Sequence, residues 1–428
     1  FTVMVKAKKN GAKKETPSPS PSASPTPGSS PSPAASPTPT PKTEERQFPA
    51  GSYIVRMDQP YSRIADALLD HQYWAPNDPQ QDVYDDTGWT LGELGNVQVV
   101  RVTDVKALSA PMERITSEIR AAGAINGAGS VYLINHTADN TLATLRYRLK
   151  DTPMEVAEEP FDAASRKFNR GSLIIRKAVL SELQTAAREL GIQVYAVPEA
   201  PSVKTHPIGT PRVALMHTWI DTQDEGWWRV ALDQMKIPYS YISTQDVTKD
   251  ANLRNKFDVI IFAPVGRGIE AIINGMPMWG NALPWKTTTL TPNLGKIDST
   301  DDMRPGLGYS GLMNLQKFTK EGGLFIGSMD TAELAVNTGF TPGLSITRST
   351  RLKAIGAVLH SKVVDDKSPI AYGYPEMVSI YCFNGPLFGV SNFASGRGPR
   401  PRDAGATAAR VRRRDVRRRR RSRGTSDR

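Results

Sequence analysis

Short apolar runs alternate with amphipathic stretches through two long segments of the chain, and residues 211–228 (PRVALMHTWIDTQDEGWW) set the pattern. Residues 212–216 read as a buried strand and 217–225 as a polar loop. From Gly226 onward Trp227, Val230, Ala231 and Met235 fall at helical spacing. Strand, polar loop and helix form the opening unit of a doubly wound α/β domain, whose ligands gather beyond the strand C-termini. His217, Asp221, Asp224 and Glu225 all lie in that loop, the densest group of ionisable residues beside aromatic rings. They are the first candidate site. The other reading is a helix N-terminus carrying acids that the helix dipole favours.

The same pattern predicts elements on both sides. Residues 51–57 (GSYIVRM), 97–102, 131–135 (VYLIN), 171–176 and 192–197 read as strands. Residues 62–69 read as a short helix with Ile64, Ala67 and Leu68 inward, and 141–149 and 179–190 read as longer ones. Strands alternating with helices imply a parallel sheet with helices on its faces. After residue 211 further strands follow at 240–242, 259–263, 324–326 and 354–359, with helices at 312–319 and 331–336. Residues 71–95 are aromatic, polar and turn-rich, and long for a loop without function or packing. The fold class is α/β, with two sheet-based regions, 48–203 and 204–393, the second doubly wound.

Composition sets the ends apart from these regions. Residues 1–5 (FTVMV) read as the last strand of a preceding domain, followed by a basic connector to residue 15, so the sequence is expected to start inside a longer protein. Residues 16–47 are dominated by Pro, Ser, Thr and Ala, which cannot bury a core and which hold the chain extended as a linker. Residues 394–428 have no apolar periodicity. From Arg397 on they hold fourteen arginines and three aspartates, which accounts for the whole net charge of +11. A genuine tail of this kind binds polyanions without sequence preference, and the body carries no such footprint, so no specific nucleic acid is expected. Arginine, alanine and glycine in excess with no lysine also suit a frameshift near Gly396. The single cysteine, Cys382, excludes an internal disulfide and a Cys-rich zinc module. No apolar run approaches the roughly 18 residues of a membrane span.

The chemistry-bearing motifs are sparse. The five histidines, His71, His136, His206, His217 and His360, show no H-E-x-x-H and none has Glu three residues later, so no metal ligand and no cofactor is assigned to this chain. Residues 322–330 (GGLFIGSMD) offer a strand, a sharp turn and a helix, the setting of a nucleophile elbow. No G-x-S-x-G is present, and Ser328 or Met329 occupies the turn. Ser328 activated by His217 is one reading, and a helix cap by Ser328 or Asp330 is the other. Gly266-Arg267-Gly268 reads as a phosphate cradle or as a flexible turn. The Trp-rich 276–285 (MPMWGNALPW) reads as an insertion that covers a surface or meets a partner.

Three longer strings carry a resemblance: SYIVRMDQPYSRIADALLDHQYW, YDDTGWTLGELGNVQVVRVTD and HTWIDTQDEGWWR. Over residues 48–393 the chain resembles the C-terminal half of large bacterial zinc carboxypeptidases of the carboxypeptidase A type. In that family a peptidase domain comes first and a glutamine amidotransferase-like α/β region follows. The resemblance implies a secreted or periplasmic protein, with zinc held only in the peptidase domain. The family's H-x-x-E, later His, catalytic Glu and substrate-binding Arg map to nothing here. The amidotransferase-like elbow also lacks its cysteine. The chain is therefore expected to be a non-catalytic accessory region of a metallopeptidase, with that peptidase domain and peptide or cell-wall material as partners. The alternatives are a stand-alone hydrolase using His217, Asp221, Glu225 and Ser328, and polyanion binding through the tail.

Overall fold

The computed structural model describes residues 2–6, 43–71, 90–95, 97–347, 357–382 and 387–390. Most of the linker, most of residues 71–95 and all of the arginine-rich tail lie outside them. The described residues fall into two compact units, one within 1–118 and one running from Ile119 onward.

In the first unit β1 (Thr2–Lys6) pairs antiparallel with β2 (Thr43–Gln47). The expected strand at the start of the chain thus finds its partner inside the chain, and the last five residues of the expected linker supply it. Helix α1 (Ser62–Leu69) forms where the sequence places it, and α2 (Leu91–Leu94) is a single turn. Its apolar face is not inward, since Ile64 is 57% exposed and no residue of α1 is buried. Residues 51–57 and 97–102 form no ladder, against expectation. Alternation prepares a strand, but only a neighbour's N–H and C=O groups make one, and Tyr53, Val55 and Val97 remain exposed. Among its described residues this unit buries no hydrophobic side chain.

The second unit contains two large sheets, of six and four strands. The first is built from β3 (Ala124–Gly127), β4 (Val131–Ile134), helix α3 (Thr141–Arg148), β5 (Met154–Ala157), the hairpin β6 (Phe161–Ala163) and β7 (Arg166–Phe168), β8 (Leu173–Ile175), helix α4 (Leu180–Leu190), β9 (Gln193–Val197) and β10 (Thr205–Ile208). Its strand order is β10-β5-β8-β4-β9-β3. Only β3 and β9 run parallel, and every other neighbouring pair is antiparallel. The expected parallel sheet is corrected here. Each strand–helix–strand crossover does join parallel strands, but an antiparallel strand lies between them: β8 separates β4 from β5, and β4 separates β8 from β9. This is the ferredoxin-like βαββαβ arrangement, with β3 and β10 added at its edges. Strand β10 belongs to this sheet, so the expected boundary at residue 204 lies a few residues too early. Helices α3 and α4 cover one face through Ile134, Leu145, Leu183 and Val194. The β6–β7 hairpin covers the other, with Phe168 over Leu133 and Ile174. Burial on both faces explains why VYLI shows no alternation.

The second sheet comprises β11 (Val213–His217), helix α5 (Gln223–Gln234), β12 (Tyr239–Ser243), helices α6 (Thr244–Lys249) and α7 (Leu253–Lys256), β13 (Val259–Phe262), helices α8 (Gly268–Asn274) and α9 (Gly308–Lys320), β14 (Leu324–Gly327) and helix α10 (Asp330–Asn337). All its pairings are parallel, in the order β12-β11-β13-β14. That is the flavodoxin-like 2-1-3-4 order of a doubly wound fold. One face packs Met216, Ile260, Phe262, Leu315, Phe318 and Leu334 beneath the later helices. The other packs Leu215 and Ile261 against Leu232 and Trp228 of α5. The buried stripe of α5 runs through Glu225, Trp228 and Leu232, one position away from the expected one, and Trp227 is 69% exposed. Two antiparallel pairs complete the unit: β15 (Leu344–Thr347) with β18 (Leu387–Val390), and β16 (Ala357–Lys362) with β17 (Met377–Cys382).

Residues 209–212 join the two sheets. The buried Arg146 guanidinium donates to the carbonyls of Leu149, Lys150 and Thr152 at the end of α3, and to Gly209. Tyr147 donates its hydroxyl proton to the Pro211 carbonyl at 2.7 Å. Helix α3 thus fixes where β11 begins.

Candidate functional site

Strand β11 is central in its sheet and buried along its whole length. It delivers His217 at its C-terminal end, 2% exposed. Alternation along the strands puts His217 on the same face as Tyr241 of β12, and the two rings stack at 4.2 Å with 5° between their planes. Trp219 meets the His217 ring edge-on at 4.9 Å. The Nδ1 of His217 lies 3.2 Å from the Thr218 carbonyl, and its Nε2 lies 2.7 Å from Asp298 Oδ2.

Helix α5 closes the cluster from above. Glu225, in its first turn, is 3% exposed. Its carboxylate hydrogen-bonds the Tyr241 hydroxyl and lies 3.7 Å from Arg229 Nε, one helical turn on. The Arg229 guanidinium sits 4.9 Å over the Tyr241 ring, a cation–π contact. Burial pushes the Glu225 carboxyl up, against the opposing pull of the Tyr241 hydrogen bond and the Arg229 charge. Burial, reinforced by the Glu225 charge, pushes the Tyr241 phenol well above its ordinary range.

Asp298 arrives from the insertion between α8 and α9. That insertion is pinched at its foot by a bridge between Gly275 and Pro305, and again between Trp285 and Thr300. Gln245 on α6 holds its returning limb through Thr300 Oγ1 at 2.8 Å and the Asp302 carbonyl at 2.7 Å. Arg304, 7% exposed at its side chain, braces it by pairing with Asp302 and donating to Trp279 O. The side chains of Met278 and Trp279 face outward, at 58% and 83% exposure, while the other limb reaches the site.

The remaining expected site residues lie apart. Asp221 accepts from the Gln223 amide and pairs with Arg267 at 3.3 Å, holding the loop after β11 to the loop after β13. Asp224 faces out on α5. Gly266 and Gly268 have φ of 69° and 76°, the left-handed turn that favours glycine, and Arg267 between them is engaged by Asp221. Ser328 donates its amide to Thr331 Oγ1 at 2.9 Å, and its carbonyl accepts the Thr331 hydroxyl. Among the described residues no hydrogen bond joins Ser328 to His217, so the expected Ser–His pair is not assembled. Nor does Ser328 cap α10. Met329 is the N-cap, and Asp330 instead accepts from the Val265 amide at 3.0 Å.

Met329 is the strained residue of that turn, at φ 53° and ψ −122°. A non-glycine residue at such an angle costs on the order of 1–3 kcal/mol, and a strand-to-helix elbow uses it to thrust one side chain outward. The elbow is therefore built, and a thioether stands on it. Among the described residues no group of three or more His, Cys, Asp or Glu side chains is placed to hold a metal ion, and no helix is long and apolar enough to cross a membrane.

Sequence reading placed His217 and Glu225 together, as the structure does. It missed Asp298, 81 positions along from His217, for which no local signal exists. Tyr241 was within reach through strand alternation, and Arg229 through its i+4 spacing from Glu225. Comparison of the chain with protein-family models, curated proteins and solved structures finds no match.

Proposed function

We propose that this chain is a non-hydrolytic accessory region of a zinc-carboxypeptidase-like protein. Its parallel-sheet region would serve as a binding module beside a peptidase domain that lies outside this sequence. The observation that carries the reading is Met329 on the elbow. A hydrolase of this architecture needs an ionisable nucleophile there, and a thioether has no proton to lose. The neighbouring Ser328 has its backbone tied to Thr331, and His217 has both ring nitrogens against other oxygens, those of Thr218 and Asp298, which leaves neither for a serine hydroxyl.

The test has two arms. The chain should resist a fluorophosphonate probe and leave a blocked dipeptide with a free C-terminal carboxylate uncleaved, with or without added zinc. Labelling that disappears in Ser328→Ala would overturn the reading in favour of a serine hydrolase. In the second arm the upstream coding sequence is joined to this chain. Zinc-dependent release of C-terminal residues is expected from the joined protein alone, and an upstream sequence without H-x-x-E and a later His removes the peptidase parent.

A further inference from the structure

Helix α5 carries two apolar stripes. One, through Trp228 and Leu232, packs on its own sheet. The other runs through Trp227, Val230 and Ala231, at i, i+3 and i+4, and all three are exposed, Trp227 and Val230 at 69% and 45%. At about 100° per residue Trp227 lies roughly 160° around the helix from the buried Glu225, so the second stripe points away from the core. A surface helix ordinarily keeps that side polar.

The sheet has the matching deficit. Leu324 and Ile326 of β14 lie in register with Val259 and Ile261 of β13, which puts them on the α5 side of the sheet, where Ile261 packs. Helices α6 to α10 all send their buried residues to the other side. A helix is about 10 Å across and strands lie about 4.8 Å apart, so one helix covers two strands and a four-stranded sheet needs two on each side. Of the helices α5 to α10, the α5 side has α5 alone. The strand left bare is β14, with Leu324 55% and Ile326 36% exposed.

We propose that the chain forms a twofold dimer in which α5 of each copy takes the vacant helix place over β14 of the other. The missing cover must be a helix with an apolar stripe turned away from its own core, and α5 is that helix. Stripe and bare strand lie on the same side of one sheet, so a single rotation satisfies both deficits in both copies, the self-complementary contact of an isologous dimer. The twofold axis then runs along the strands. Trp227, at the start of α5, meets Ile326 at the C-terminal end of β14, and Ala231, one turn later, meets Leu324. Trp227 alone has on the order of 150 Å² to cover. Each copy buries its stripe and its strand face together, which reaches the small end of a standard interface, about 600 Å² per copy. Association in the micromolar range follows from that size. The inference does not depend on the accessory reading.

Sedimentation velocity of the full chain, from about 1 to about 100 µM, is the test. A reversible dimer is expected at the upper end and separate copies at the lower. Trp227→Arg and Ile326→Glu should each weaken the dimer at least about tenfold. Mixed in equal amounts, the two variants should recover it, because the mixed pair keeps one Trp227–Ile326 contact intact and sets arginine against glutamate in the other. An unaltered chain that stays monomeric throughout would overturn the proposal and leave the surface to a different protein. A dimer that both variants leave intact, or that their mixture fails to restore, would overturn it as well. Trp227→Ala and Ile326→Ala carry the weakening arm should a charged variant fail to fold.

Discussion

The two sheets of the larger unit solve the same packing problem and treat their buried polar groups differently. In the βαββαβ sheet, Arg146 spends its guanidinium on four carbonyls, and Ser172, fully buried, donates to Asn169 O and accepts from the His136 amide. Among the described residues, none of the buried polar atoms left unpaired falls between residues 119 and 208. In the parallel sheet and the loops that follow it, Trp219, Arg254, Asp330 and Thr341 each leave one, and Glu225 Oε1 and Arg229 Nε meet only as an ion pair at 3.7 Å. Met329 adds a strained backbone to the same region. Departures from local consistency concentrate where proteins do their work. The first sheet therefore reads as scaffold, and the proposed binding role falls to the second.

The largest expected effect separates a central strand from an edge strand. Leu133 is fully buried in β4, so Leu133→Ala should cost about 3 kcal/mol of unfolding free energy in urea. Leu324, on the parallel sheet and 55% exposed, should cost less than about 1 kcal/mol on the same change. Equal losses would mean that the edge strand β14 is as closed as the central strand β4.

Next in size is the elbow. Met329→Gly should stabilise the chain by about 1 kcal/mol, because glycine adopts the same angles without the steric cost. A lowered Tm would mean that the methionine's contacts outweigh its strain.

Two titrations of opposite sign follow, one in each sheet region. Burial makes Glu225 hold its proton more tightly in the folded chain than in the unfolded one. Its contribution is complete below the ordinary value near 4.5 and is lost as pH climbs through the raised one. Melts of Glu225→Gln should therefore lose less stability than the unaltered chain between acid and neutral pH. His136 is shifted the other way, since burial favours its neutral form. Its contribution is present above the ordinary 6.5 and is lost as pH falls through the lowered value. His136→Gln should flatten the acid limb while leaving the neutral limb unchanged. Identical pH profiles for either pair would contradict the burial assigned to that residue.

How far the chain could be read in advance depended on how local the cause was. The parallel sheet was legible because each of its strands is a short apolar run followed by its own helix, from Val213–His217 to Leu324–Gly327. The first sheet was misjudged because Met154–Ala157 was not read as a strand, and without it the βαββαβ unit reads as a plain alternation of strand and helix. The insertion of β8 between β4 and β5, and of β4 between β8 and β9, is then a fact of pairing in space. Residues 51–57 and 97–102 had strand alternation without a neighbour to bond. In the site, His217 and Glu225 were visible because one loop and one helix turn carry both. Asp298 was not, because its position depends on how the 275–306 insertion returns to the sheet. The strain at Met329 is a backbone property, and a methionine in a sequence gives no hint of it.

The bridge at the foot of that insertion has a practical consequence. The amide of Met276 bonds the Arg304 carbonyl at 2.8 Å, and Gly275 lies opposite Pro305. The chain leaves the fold and re-enters it through one doorway, so the ends of α8 and α9 are held together at the foot of the insertion. The insertion can then be treated as an exchangeable cassette. Residues 277–303 could be cut to a tight turn or replaced by a foreign loop, provided the replacement returns an acceptor to His217 where Asp298 stood.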